Sequence, residues 1–438
     1  MNFLFYLLLL AFPIGRVLNQ PLWESERKTV PLDLMNVVVA LLVGAWLVHH
    51  CLSRHSTPLR KYPNFKYFFL FVLWAGGSLA YNAFRFGLDI SEIAVSGLYL
   101  VRWIEYALLY YIVYDLATDR TSVNRILKWV FAGGVAFCCF GFFQAAFLPD
   151  FALWLYPEAR AYIDYDPQGH RLVSTILDPN IAAGYIIVLA LIALSFYIHG
   201  MKRWLPVLII FLTALVLTLS RGGALGFAAG VASLLVARKV SYKKILVCFV
   251  VLALITIVLY PLLEADLKYA DRLTVQDSSA WDRIANWLLL IDVIRANPIS
   301  GIGFDTLGYV GTNYGIAKEG GLAFALESDL LMILAMTGVV GLILYGRIFV
   351  RMLGDLKQLR QGSEVTADRA LSVGLRAAFL AVVVDSFFTS LLLFPAVMGL
   401  LWILWALAER LRAELPQAVP AIAPGPIPMA GPRPLHAT

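Results

Sequence analysis

Charge is scarce in this chain: Asp, Glu, Lys and Arg make up 15% of its 438 residues, while 60% are apolar and the mean hydropathy is +0.77. Soluble domains draw about a quarter of their residues from the charged types, so this composition excludes one. Cysteine is scarcer still. The 4 present (Cys51, Cys138, Cys139 and Cys248) sit in or beside apolar runs, with no spacing that suggests a disulfide framework or a zinc site. A basic face interleaved with aromatics is also missing, so the net charge of +6 is no signature of nucleic acid.

What fills the chain is a series of long apolar runs. A bilayer core takes about 20 apolar residues per helix. On that measure spans are predicted at 2–19, 31–52, 65–84, 93–115, 127–148, 180–199, 204–220, 223–237, 244–263, 328–349, 370–392 and 394–411. The first run has no basic n-region and no small-residue cleavage site before Gln20, so it reads as a retained span. Basic residues fall in alternate connections, at Arg54, Arg60 and Lys61, at Arg120 and Arg125, at Lys202 and Arg203, at Arg238 to Lys244, at Arg347 to Arg360, and at Arg410 and Arg412. With both termini cytoplasmic, about twelve spans put all of these inside, as the positive-inside bias requires.

The expected organisation is an all-α polytopic membrane protein. Spans one to nine occupy residues 1–263, a large and partly helical extracytoplasmic loop 264–326, spans ten to twelve 327–412, and a Pro-rich disordered tail 413–438. Within the loop, Ser279 to Ala296 reads as an amphipathic helix with Trp281, Ile284, Leu288, Ile291 and Ile294 on its apolar stripe and Asn297-Pro298 as its stop. Inside the membrane, Arg102, Glu105, Arg376 and Asp385 are costly unless paired or solvated, and are expected to line an internal cavity.

Polar chemistry gathers on the expected outer side. Ser220-Arg221-Gly222-Gly223 lies between two spans so close that the chain must reverse there and start a helix at once; free N–H groups and a guanidinium together suit an anion. The blander alternative is an arginine that snorkels to headgroups. Arg283 lies outside the apolar stripe and Arg272 precedes the helix, so either can bring a second cation over the membrane mouth. Asp178-Pro179-Asn180 opens the sixth span, where Asn can cap or bind. The glycines of Ile299-Ser300-Gly301-Ile302-Gly303 fit a tight turn or a close approach to a ligand. A lone Asp164-Tyr165-Asp166 is too common a pattern to establish a metal site.

Taken in order, Arg171 with Asp178-Pro179-Asn180, Leu219-Ser220-Arg221-Gly222, Arg283 and Trp287 with Asn297-Pro298-Ile299-Ser300-Gly301-Ile302-Gly303, and Gly338 with Gly341 resemble the O-antigen ligase and Wzy-type polymerase superfamily of bacterial envelope glycosyltransferases. The likeness covers roughly 170–410 and implies a GT-C-like fold in the inner membrane with its active site facing the periplasm. Family ligases carry His, then Asn, Ser or Gln, then nine residues and GxxG. Here Glu327-Ser328 precedes Gly338-Val339-Val340-Gly341 at that spacing, so Glu327 replaces the His and the polymerase reading is favoured over the ligase.

The resemblance implies transfer of glycan from an undecaprenyl-pyrophosphate carrier to an acceptor sugar hydroxyl in O-antigen or exopolysaccharide synthesis, inverting and without metal or other cofactor. Arg221 and Arg283 would stabilise the departing pyrophosphate and Glu327 would accept the hydroxyl proton, while Arg171, Asn180, Gly222, Arg272 and Ser328 would bind substrate. Expected partners are the lipid-linked oligosaccharide, the acceptor glycan, membrane lipids and a chain-length regulator. The rivals are a ligase that joins finished glycan to lipid A-core, and, from another class, a lipid-glycan flippase or transporter built on Arg102, Arg376 and Asp385.

Overall fold

The computed structural model describes residues 20–24, 29–53, 58–155, 171–238, 278–315 and 328–415, together with Phe5, Tyr6 and Leu8. The long helices are α1 (Leu34–Leu52), α2 (Phe65–Phe86), α3 (Ile90–Leu116), α4 (Arg120–Phe147), α5 (Pro179–Ile198), α6 (Leu205–Leu217), α7 (Arg221–Ala237), α8 (Ser278–Ala296), α9 (Asp329–Gly362), α10 (Thr366–Asp385) and α11 (Pro395–Ala413). Each predicted span from 31–52 to 223–237, and each of the last three, falls on one of these helices. Among the described residues 6 helices are long and apolar enough to cross a membrane, and with the composition this makes the chain a multi-pass membrane protein. The predicted spans 2–19 (apart from Phe5, Tyr6 and Leu8) and 244–263, the Asp164-Tyr165-Asp166 triplet and the tail from residue 416 lie outside the described residues.

An unpredicted feature is a two-stranded antiparallel hairpin, β1 (Gln20–Glu24) and β2 (Thr29–Leu32), with Gln20 opposite Leu32 and an irregularity between Pro21 and Trp23. The β-branched pair Thr29-Val30 suits a strand, and Val30 is buried against Val95 and Tyr309.

Helix starts follow local chemistry. Asp89 and Asp119 both close capping boxes, at the heads of α3 and α4. The backbone N–H of Glu92 and the Ser91 hydroxyl hold the Asp89 carboxyl below the usual carboxylate range, and the N–H and hydroxyl of Ser122 do the same for Asp119. The α4 cap explains why that helix begins earlier than the apolar run that predicted it.

α5 is apolar around its whole circumference, as a fully surrounded helix must be, and Ile181 to Ala193 are all buried. α6, α7 and α10 pack around it, while α11, buried along Val397–Ala408, joins α3, α9 and α10.

At the basic end of the bundle, buried carboxylates are matched by guanidinium and amide groups. Asp355 is paired with Arg351 at 2.9 Å and accepts from Asn64 at 3.0 Å, and Asp368 takes two bonds of 2.8 Å from Arg120. Breaking such a pair by removing one partner costs about 3–5 kcal/mol. Arg376, by contrast, is exposed, and the described walls of the cavity at Arg102 include none of Glu105, Arg376 and Asp385, so the common cavity expected for the four does not form there.

The helix expected over 279–296 is present as α8, but its packed face keeps only Ile294 of the predicted stripe in the buried cluster. Ile284 and Leu288 are exposed, whereas Leu290 and Val293 are fully buried with Ile302, Leu307, Val310 and Ala335. Apolar residues run without interruption from Trp287 to Ile291, so periodicity alone does not select a face.

The segment after α8 joins α9 through backbone. α9 is broken at Gly338, whose φ of 68° and ψ of −175° belong to no helix. The groups this break releases are taken by the turn segment that follows α8: Val339 N–H donates to the Pro298 carbonyl at 2.9 Å, and Ile302 and Gly303 N–H donate to the Ala335 and Met336 carbonyls at 3.0 and 2.9 Å. The Trp74 indole takes the Thr337 carbonyl at 2.8 Å. Asn297 anchors the seam by donating to Tyr314 and accepting from Arg85. The close approach predicted for Gly301 and Gly303 is therefore to another backbone and not to a ligand.

A Cβ at Gly338 would stand 2.0 Å from the Ile299 carbonyl oxygen and would also meet an unfavourable φ. Gly338→Ala is expected to destabilise the protein by more than about 2 kcal/mol. Its melting temperature in detergent should fall well below that of Gly346→Ala, where a Cβ meets nothing within 4 Å.

Candidate functional site

At the end of the bundle opposite the basic clusters, the N-termini of α5, α7 and α9 converge on residues 386–394. Each helix head leaves backbone N–H groups pointing outward and carries a partial positive charge. At α5 the Asp178 side chain accepts from Asn180 and Ile181 N–H at 2.8 and 3.0 Å, and Pro179 takes the first helical position, where its missing N–H costs nothing. Capping in this triplet therefore falls to Asp178, not Asn180.

The reversal between α6 and α7 takes only Thr218, Leu219 and Ser220. Leu219 adopts a left-handed φ of 51° to make the turn. Arg171, itself buried, donates through Nε to the Thr218 carbonyl at 2.9 Å, and Leu172 N–H donates to the Leu217 carbonyl at 2.8 Å. Ser220 caps α7 by accepting from Gly223 N–H at 3.1 Å and donates its hydroxyl to Asn180 Oδ1 at 2.9 Å. Arg171, Asn180 and the Ser220–Gly223 turn thus form one connected unit, with Arg221 exposed at the first position of α7.

α7 meets α10 along a face without side chains. A Cβ at Gly222 would lie 2.6 Å from Asp385 Oδ1, and one at Gly226 would lie 2.7 Å from the Ala381 carbonyl. Small residues four apart let helix backbones approach closely in membranes. The approach sets the Asp385 carboxylate, fully buried, against the positive head of α7.

α9 completes the cluster. Asp329 is fully buried; its Oδ2 accepts from Leu391 and Leu392 N–H at 2.6 and 2.5 Å, and its own N–H donates to the Ser386 carbonyl at 3.0 Å. These bonds fix the 386–394 segment. The Ser328 hydroxyl and Asp329 Oδ1 are buried and have no hydrogen-bond partner among the described residues. Buried polar atoms of this kind mark places where a ligand or water belongs.

α8 lies over the cluster, its Trp287 ring 6.1 Å from Phe388. Arg283 stands one turn before Trp287 on that helix. Arg272 and Glu327 lie outside the described residues. The structure therefore gathers Arg171, Asn180, Arg221, Gly222 and Ser328, with α8 bringing the Arg283 position over them. Sequence reasoning assigned Asp385 to a common internal cavity and gave Asp329 no separate role. The signal for Asp385 was a lone acid at the end of an apolar run, and for Asp329 an acid at the head of one, in Glu327-Ser328-Asp329.

The close packing predicts a sharp contrast along α7. Gly226→Ala should lower stability by about 1–3 kcal/mol through overpacking, whereas Leu225→Ala, at a side chain 54% exposed, should leave the melting temperature in detergent nearly unchanged.

No curated protein matches the chain. A family model does match, over residues 206–346, a segment that holds the α7 turn, Arg283, the seam after α8 and the Gly338 break. That model is the O-antigen ligase family, Wzy_C, so over this segment the chain is similar to the family that its motifs resemble.

Proposed function

We propose that the protein is an inner-membrane polymerase that transfers glycan from an undecaprenyl-pyrophosphate carrier to the hydroxyl of an acceptor sugar, with the site facing the periplasm and about twelve spans in all. One observation carries the reading. The head of α7, tied by Ser220 to Asn180 and by Thr218 to Arg171, carries the exposed Arg221 at a helix N-terminus, an arrangement that suits an anion.

The chemistry is a single displacement. The acceptor hydroxyl oxygen attacks the anomeric carbon and the bond from that carbon to the pyrophosphate oxygen breaks, leaving its electron pair on the lipid pyrophosphate. The configuration inverts. The growing negative charge falls where Arg221, the Gly222 and Gly223 end of α7 and the Arg283 position converge; such preorganised donors are worth about 3 kcal/mol each. Glu327, next to Ser328 in the chain, takes the hydroxyl proton. Arg171, Asn180, Ser328 and Arg272 hold the donor, so guanidinium groups supply the positive charge and no metal or other cofactor is needed in this account. Membrane lipids surround the bundle, and a chain-length regulator acts from outside it.

The matched family's own description favours a second reading, a ligase that moves finished glycan to a terminal acceptor such as lipid A-core. Glu327 at the family's His position speaks against it. The transporter reading loses its common cavity, since Arg376 is exposed.

Purified protein given the host's undecaprenyl-pyrophosphate repeat unit should produce a ladder of polymers that resists EDTA. Arg221→Ala should slow it about 100-fold or more, with Arg283→Ala and Glu327→Ala similarly impaired. A single addition to lipid A-core with no ladder would instead establish the ligase, and no product at all from authentic substrate would contradict both.

A further inference from the structure

The same end of the bundle also holds a partly open cavity of about 220 Å³. Its charged walls are Asp33, Arg102 and Asp305, and Tyr99, Trp103 and Phe394 supply rings. Ile176, Met332 and Leu393 also line it. Ile176 lies in the stretch between Arg171 and Asn180, Met332 on the first turn of α9, and Leu393 beside the two N–H groups that hold Asp329. The cavity and the candidate site thus share three wall segments.

Size and charge restrict the occupant. Pockets for drug-sized ligands run to about 300–1,000 Å³, so this one suits a single ring. A lipid tail is disfavoured by three charged side chains. Among the described residues the formal wall charge, two carboxylates against one guanidinium, is −1, which disfavours a pyrophosphate. What remains is a ligand rich in hydroxyls with an apolar face, since carboxylates accept from hydroxyls, guanidinium donates to them, and rings cover C–H faces.

The polar walls are also held in place. Asp33 is fixed by accepting from Asn36 N–H at 2.8 Å, and the Arg102 guanidinium lies 5.4 Å from the centre of the Tyr99 ring. Asp305 has a left-handed φ of 60°, held by Ser96, which donates to its carbonyl at 3.3 Å. Backbone strain of about 1–3 kcal/mol in a non-glycine residue clusters at functional positions.

We propose that this cavity binds the terminal pyranose of the acceptor glycan, with Asp33, Arg102 and Asp305 as its hydrogen-bonding residues. The assignment rests on the glycan-transfer reading and adds to it where the nucleophilic hydroxyl comes from: a cavity that shares three wall segments with the candidate site.

The test uses full-length protein in lipid nanodiscs and, as probe, the host's repeat-unit oligosaccharide released from its lipid carrier, with binding read by saturation-transfer NMR. Ala396→Phe, which fills the cavity from its wall, and Asp305→Asn should each weaken binding at least about tenfold, with melting temperatures recorded alongside. Leu225→Ala should bind as wild type. Failure of wild type to bind the oligosaccharide, or wild-type binding by Ala396→Phe and Asp305→Asn, overturns the subsite. The polymer ladder run on the same preparations separates the two claims. A ladder from wild type together with unimpaired cavity variants rejects the subsite alone, whereas no product from wild type rejects glycan transfer itself and the subsite with it.

Discussion

The contact between α7 and α10 sets the position of everything at the candidate site. Because Gly222 and Gly226 present no side chain, the α7 backbone comes within reach of Asp385 and of the Ala381 carbonyl, and a buried carboxylate faces the head of a helix. With α7 held there, its cap Ser220 meets Asn180 on α5 and the turn before it meets Arg171. An ordinary apolar face on α7 would keep the helices about 8–10 Å apart and would leave these groups out of register.

A second constraint couples α8 to the rest of the bundle. Gly338 breaks α9, and the backbone from Pro298 to Gly303 takes up the hydrogen bonds that the break releases. In a low-dielectric setting each unmatched group would cost several kcal/mol, so the two segments hold one another. This fixes α8, and with it Trp287 and the Arg283 position, over Phe388 and the α7 turn. The two seams meet at the 386–394 segment, which Asp329 binds through two backbone N–H groups.

Much of this was legible in the sequence. The apolar runs marked where helices form, Asp178-Pro179-Asn180 marked the head of α5, and Ser220-Arg221-Gly222-Gly223 marked a reversal that the structure makes with Leu219 in the left-handed region. The extent of α8 differed by a single residue from the expected start. Its packed face was illegible because uninterrupted apolar residues satisfy more than one stripe. The partner of Gly301 and Gly303 was illegible for another reason: it is the backbone of α9, which carries no side-chain signature. Asp385 was visible as an isolated acid, but its place depends on how closely two helices approach, a property of the pair and not of either run.

The central claim is that the head of α7 receives the carrier's pyrophosphate. A cryo-electron-microscopy structure in nanodiscs with undecaprenyl pyrophosphate bound tests it most directly. The account predicts phosphate density at the head of α7, with Arg221 turned toward it. Pyrophosphate bound elsewhere, at the basic end of the bundle or within the cavity walled by Arg102, would contradict it.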